Sequence, residues 1–302
     1  MKTNPNTVCD LRTGECGPSD EDAIQRLDFS PQTSKLTLHY VTDPICSHCW
    51  ALEPVLNRFQ LQYGHHFEFN VVMGGLLPSW NGFGDRANGI RQPSDVAGHW
   101  REVGEHSRMP IDGSLWLDHP IQSSFPPSRV FKVIQQNHPG KEREYLRKTR
   151  ERLFAFNENI AEEAAMIRLV DEIGLNGRDL VAQAAEESAQ TLLEEDFALA
   201  ARLGVRGFPT IVMMNENSQG VKIVGAQPLE TYVKGLESLL NKPASAAEVP
   251  TLSDWFSGKE HLFSKEIEVM YDLRPDQAEA FVAEQLSGRP PRIRHVMGEL
   301  YI

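Results

Sequence analysis

Cysteine is scarce in this chain, positive charge is in deficit, and long apolar runs are missing. No window approaches 18 consecutive apolar residues, so no membrane-spanning helix is expected. The opening stretch, "MKTNPNTVCDLRTGECGPSDEDAI", has no apolar core of signal-peptide type, which makes the cytoplasm the expected compartment. Lys and Arg number 30 against 42 Asp and Glu, a formal net charge of −12. Such a balance gives no general pull towards nucleic acid or an anionic membrane. The four cysteines, Cys9, Cys16, Cys46 and Cys49, all precede residue 50. A disulfide-stapled scaffold would spread its cysteines along the chain, whereas this clustering points to catalysis or metal binding.

What the chain does have is enough apolar residues, 40% of 302, for one large core or two smaller ones. Residues 1–33 are polar and rich in Pro, Gly and acids, and read as an irregular N-terminal arm. "KLTLHYV" (35–41) alternates as a strand does, and "FEFNVVM" (67–73) reads as a second strand. Between them a helix runs from about Cys46, with Pro54 inside it as an expected kink. A Gly-rich loop, "GGLLPSWNGFGDRANG", is followed by helical periodicity to about residue 203, broken at "HPGK", "FNEN" and "GLNG". "GVRGFPTIVMMN" and "GVKIVG" then read as a strand hairpin, and "PLETYVKGLESLLN" as an amphipathic helix. The segment 242–250 reads as a linker. Residues 251–302, two helical stretches and a terminal hairpin, suggest a small winged-helix-like interaction module. Six Lys and Arg against nine Asp and Glu in that module argue against DNA contact and for a protein partner.

The order β-α-β, helical block, β-β-α predicts an α/β, thioredoxin-like fold over 34–243, with a helical insertion at about 94–190. In that layout Cys46 falls where a strand hands over to a helix. Free N–H groups and the positive end of the helix dipole favour a thiolate there, so a lowered Cys46 pKa and a solvent-facing Cys46 are expected. Cys49, one turn on, can reach back and resolve a mixed disulfide. His48, between them, can donate a hydrogen bond or a full charge to the Cys46 thiolate. Pro209 opens a strand after the helical block, the place where the thioredoxin fold keeps a cis-proline, with the Phe208 backbone available for an extended substrate.

The motifs "TDPICSHCWALEP", "MGGLLPSW", "SSFPPS" and "GVRGFPTI" resemble those of the DsbA family of thioredoxin-like proteins. More narrowly they resemble the cytosolic FrnE-like dithiol-disulfide isomerases and the related adaptor that presents the regulator Spx to the ClpXP protease. The resemblance spans about 34–241. It implies Cys46 as nucleophile, Cys49 as resolving thiol and Pro209 as the cis-proline. Beside it, Phe208, Trp50 and Trp80 are the candidate substrate-binding residues, the tryptophans as core and cleft lining. It also brings one departure. Many thioredoxin-fold enzymes hold a carboxylate six residues before the first cysteine, and this chain has Tyr40.

Other readings stand beside this one. Cys9 and Cys16 could form a second redox pair or be two exposed thiols of a tail. All four cysteines could hold zinc, although one pair is placed for a folded helix start and the other for a loose arm, so no metal is expected. Attached haem would need a His after Cys49, where Trp50 stands. His65, His66, His99, His106 and His119 read as surface or capping residues. No cofactor is expected. The expected activity is dithiol-disulfide exchange on protein or small-molecule disulfides, with electrons from a cytosolic reducing system. The alternative is an adaptor that holds a client protein for a protease.

Overall fold

The computed structural model describes the backbone of residues 8–10 and 15–17, and the whole of residues 36–85, 88–257, 261–288 and 292–302. The chain divides into two units, Met1–Ser34 and Lys35–Ile302. In the first, β1 (Val8–Asp10) and β2 (Glu15–Gly17) pair antiparallel, with Cys9 directly opposite Cys16. The arm read as irregular thus contains a short hairpin. The rest of the expectations for residues 1–33, including the thiols of Cys9 and Cys16, lie outside the described residues.

The second unit is built on four strands: β3 (Leu36–Thr42), β4 (Phe67–Met73), β5 (Thr210–Met214) and β6 (Gly220–Val224). Their order is β4-β3-β5-β6, with β3 parallel to β4 and antiparallel to β5, and β5 antiparallel to β6. The parallel pair is joined through α1 (Ser47–Tyr63), which contains Pro54. Strand alternation decides what each face meets. Leu36, Leu38 and Tyr40 point into the main core with Leu52, Leu56 and Phe59 of α1. Val41 and Val72 point the other way, against Ala200 and Leu199.

Between β4 and β5 lies the helical block: α2 (Pro93–Ser107), α3 (Leu115–Asp118), α4 (Phe125–Asn137), α5 (Lys141–Arg150), α6 (Glu163–Glu172), α7 (Gly177–Ala184) and α8 (Glu187–Arg202). α5 runs on into one π-helical turn, Glu151–Ala155. After β6 comes α9 (Leu229–Leu240). This is a thioredoxin-like sheet with a helical insertion.

The C-terminal segment holds α10 (Leu252–Phe256), α11 (Ser264–Tyr271), α12 (Ala278–Gln285) and the hairpin β7 (Arg294–Val296) and β8 (Glu299–Tyr301). It has a small core of its own around Leu252, Trp255, Ile267, Met270 and Val282. Phe263 and Tyr301, however, belong to the main core. Arg58 of α1 donates to both Asp272 carboxylate oxygens, at 2.5 and 2.7 Å, and to the Val269 carbonyl at 2.7 Å. The stretch read as a linker is also tied down. Ala247 N–H donates to the Gln62 carbonyl, and His66 bonds to that of Ser245. Among the described residues no helix is long and apolar enough to cross a membrane.

Candidate functional site

The turn from β3 into α1 carries the cysteines. Cys46 is the N-cap of α1, and its Sγ accepts from the Cys49 N–H at 3.2 Å. Both thiols are free and buried, Cys46 at 5% exposure and Cys49 at 0%. The turn is held by Asp43, a fully buried carboxylate. Its Oδ1 accepts from the Ile45 N–H at 3.1 Å, and its Oδ2 from the Leu76 N–H and the Ser124 hydroxyl, both at 2.8 Å. One side chain thereby fastens the cysteine turn to the loop after β4 and to the start of α4. Burial nevertheless raises its pKa, against these bonds and the charge of Arg150.

Outside the pair is a cleft of about 580 Å³, lined among others by Cys46, His48, Trp80, His99, Trp116 and Phe208. Cys49 is not on its wall. Trp80 donates its indole N–H to the Ile121 carbonyl at 2.8 Å and meets Phe83 and Trp116 edge-on. The Phe208–Pro209 peptide is cis. Gly74 explains how Phe208 fits beside the cysteine turn, because a Cβ at Gly74 would lie 2.0 Å from the Phe208 ring. Gly75, at φ +73°, turns the chain away in a conformation that costs glycine little.

Inside the pair the surroundings are charged. Arg150, at the end of α5, is 1% exposed. Its Nη2 donates to Thr42 Oγ1 at 2.5 Å and to the Asp43 carbonyl at 3.1 Å, and its Nη1 to Glu53 at 2.8 Å. Tyr40 lies under the guanidinium at 5.9 Å, and its hydroxyl donates to the Cys49 carbonyl at 3.4 Å. Glu53 also binds Arg147, which reaches Glu151 and both carboxylate oxygens of Glu266 in α11. The larger cavity of about 700 Å³ is lined by Tyr40, Glu53, Arg147 and Arg150, and it does not reach the cysteines.

Four expectations are corrected here. First, Cys46 does not face open solvent and does not have the lowered pKa. Burial pushes its thiol well up, the hydrogen bond and charge of Cys49 add to that, and Arg150 and the Cys49 N–H only partly oppose it. Cys49 is the lowered one. Burial raises it, but the bond from Cys46, the charge of Arg150 and the Thr42 hydroxyl outweigh that. Second, His48 is exposed at the mouth of the cleft, and no hydrogen bond joins it to Cys46 among the described residues. Desolvation, with the charges of His99 and His106, holds its pKa below the ordinary value, so it is mostly neutral at pH 7. Third, Trp50 is not in the cleft. It is 0% exposed, donates to the Pro110 carbonyl at 3.0 Å, and packs on Phe154 and Phe263 with Arg147 over its ring. On α1 it faces inward, on the far side from His48. Fourth, His99, read as a surface residue, instead stands in the cleft with its ring 5.3 Å from that of His48.

Sequence reasoning missed Asp43, Glu53 and Arg150. Asp43 was visible in "TDPI" as a turn residue that could bond two positions on. Arg150 gave no signal, because its partners lie about a hundred residues away. Among the described residues no three His, Cys, Asp or Glu side chains come together as a metal site needs.

The thioredoxin family model matches residues 39–234, from the middle of β3 into α9. The chain belongs to the thioredoxin family. Among relatives of this thioredoxin-family protein is the ClpXP adapter protein SpxH of Halalkalibacterium halodurans. It is 31% identical over 276 residues, which cover 90% of this chain and 89% of that protein. Among solved structures, a putative protein disulfide isomerase from Nitrosomonas europaea aligns with a TM-score of 0.57 at 20% identity. It covers 68% of this chain and 96% of its own. The cytosolic disulfide reductase DsbM from Pseudomonas aeruginosa aligns at 0.54 with 19% identity, covering 68% of this chain and 98% of its own. The fold is therefore thioredoxin-like of the DsbA kind.

Proposed function

We propose that this protein is a cytosolic thiol-disulfide oxidoreductase or isomerase that acts through Cys46 and Cys49. The observation that supports this best is the division of labour between the two thiols. Cys46 lines the cleft beside Phe208, while Cys49 is behind it and within one helical turn. In the reaction the Cys46 thiolate attacks a substrate disulfide and a thiolate leaves. Cys49 then attacks the Cys46 sulfur, releasing the second substrate thiolate and leaving Cys46–Cys49 oxidised. A reducing partner dithiol returns the pair to its starting state. The aromatic walls, Trp80, Trp116 and Phe208, suit an apolar side chain next to the substrate cysteine, and so favour protein disulfides.

A second reading has its own support. The relatives at 31% identity over most of the chain are named as ClpXP adapters. In this reading the same cleft, or the C-terminal segment, holds a client for proteolysis, and the thiols are not consumed.

Trapping separates the two. Cys49→Ser should accumulate a mixed disulfide between Cys46 and a client, released by dithiothreitol and absent from Cys46→Ser. If instead the double Cys→Ser variant retains its client and a AAA+ protease partner undiminished, and no covalent species forms, the adaptor reading holds and the exchange reading is lost.

A further inference from the structure

The cleft beside Cys46 holds basic groups that the protein itself does not use. His48 of α1, His99 of α2 and Arg206 of the loop before β5 all line it. The two imidazole rings lie 5.3 Å apart. None of the three makes a hydrogen bond or an ion pair with the rest of the chain among the described residues. The carboxylate on the same wall, Asp85, is already engaged, accepting from the Asn88 side chain at 2.6 Å and from the Asn88 N–H at 3.3 Å. On α2, Asp95 and Glu102 stand one turn before and one turn after His99. Asp95 is taken up by the Arg91 and Gln92 N–H groups, and Glu102 is exposed. His106, two turns beyond His99, adds its charge against that of His48. Uncommitted basic groups thus gather at one cleft in a chain whose net charge is −12. The general field of such a chain repels an acidic segment, so only local donors can hold one. A guanidinium and two imidazoles are a donor set that suits a carboxylate.

We propose that His48, His99 and Arg206 form a carboxylate-binding subsite beside Cys46, which selects client proteins with Asp or Glu next to the disulfide cysteine. The aromatic walls and this subsite take different side chains of one segment, an apolar one and an acidic one. Desolvation, with the charges of His99 and His106, keeps His48 neutral at rest, and an arriving carboxylate offsets these effects. Binding of an acidic client therefore draws a proton onto the imidazole pair, and the preference grows as pH falls. The inference rests on the exchange reading above and names its substrate class.

The test uses the full chain with Cys49→Ser, in which attack by Cys46 stops at the mixed disulfide and releases one peptide thiolate. The substrates are symmetrical disulfides of two peptides that differ only in Glu or Gln beside the cysteine. Mixed-disulfide formation is followed by mass spectrometry between about pH 6 and pH 8, the range in which histidine titrates. The quantity read is the Glu/Gln rate ratio, divided by the same ratio for dithiothreitol. It cancels the titration of Cys46 and the intrinsic reactivity of each peptide. The ratio should be at least about threefold at the acid end, decline towards the alkaline end, and flatten in high salt. His99→Gln should remove its pH dependence. Arg206→Gln should lower it at every pH, and Arg206→Lys should restore it. A merely structural role would change both peptides alike and leave the ratio unmoved. A ratio near one at the acid end, or one untouched in folded His99→Gln and Arg206→Gln, overturns the inference. If neither peptide forms a mixed disulfide, the exchange reading is lost. Fluorescence-polarisation binding of the same peptides with Ser in place of the cysteine then judges the subsite: tighter binding of the Glu peptide supports it, and equal binding overturns it.

Discussion

The two sides of the Cys46–Cys49 pair are built from different materials. The outer side is aromatic and open, with Trp80, Phe83 and Phe208 around Cys46. The inner side is charged and closed, with Arg150, Glu53 and Asp43 around Cys49. Access and charge are therefore assigned to different sulfurs. The thiol that a client can reach is not the one whose pKa its hydrogen bonds and the charge of Arg150 lower against burial. Substitutions on the outer side should change what is captured. Those on the inner side should change stability and titration together.

The largest effect should come from the inner side. Asp43→Ala strands the Ile45 and Leu76 N–H groups and leaves the Ser124 hydroxyl only a long bond to the Leu77 carbonyl, at 3.5 Å. At about 1–3 kcal/mol for each orphaned buried group, it should lower stability by about 3 kcal/mol or more, read by urea unfolding. A loss under about 1 kcal/mol would show that the turn holds itself without the carboxylate.

Gly74→Ala comes next and strikes the outer side. The new Cβ would overlap the Phe208 ring, which must swing out of the cleft. Overpacking costs about 1–3 kcal/mol, and exchange with a protein disulfide should fall more than exchange with glutathione. Equal losses for both substrates would remove Phe208 from client binding. Trp80→Ala should weaken capture of a protein client about tenfold, roughly 1.4 kcal/mol, with the alkylation profile of the thiols unmoved. A shifted profile would blur the distinction between the two sides.

The smallest effect concerns the histidines. His39 and His48 have lowered pKa values, from burial and, for His48, from His99 and His106 as well. Such groups bind protons more readily in the unfolded chain. Their contribution to stability is present above the ordinary histidine pKa and is lost as pH falls through the lowered values. Stability should therefore decline on acidification below about pH 6.5, and His48→Ala should remove part of that slope. At pH 7, where His48 is mostly neutral, the same variant should barely move the glutathione equilibrium. A shift of several fold there would restore His48 as a charge donor to Cys46.

Much of the fold was legible because it is written in local period. "KLTLHYV" alternates and becomes β3, and the breakers at "HPGK" and "GLNG" fall at the observed helix boundaries. The cysteine pair was legible because its spacing has one mechanical meaning at a helix start. What surrounds it was not. Trp50 and Trp80 look alike in sequence, and only the packing of α1 against Phe154 and Phe263 puts the first in the core. The burial of Cys46 depends on a roof of loops that no local pattern announces. Glu53 and Arg150 act on one another across α1 and α5, and pairing at that range leaves no trace in a single sequence, whereas Asp43 showed only as a turn residue.

The bond between Arg147 and Glu266 has a thermodynamic corollary. Glu266 caps α11, accepting from the Phe263 N–H at 3.1 Å, and its two oxygens also meet the guanidinium that shares Glu53 with Arg150. The last stretch of the chain is thus wired to the start of the cysteine turn through alternating charges. Coupling of this kind is reciprocal. If oxidising the pair changes how firmly α11 is seated, then lifting α11 must change the midpoint of the pair by the same free energy. A partner that grips the C-terminal segment would then be reading the oxidation state of Cys46 and Cys49 without touching either.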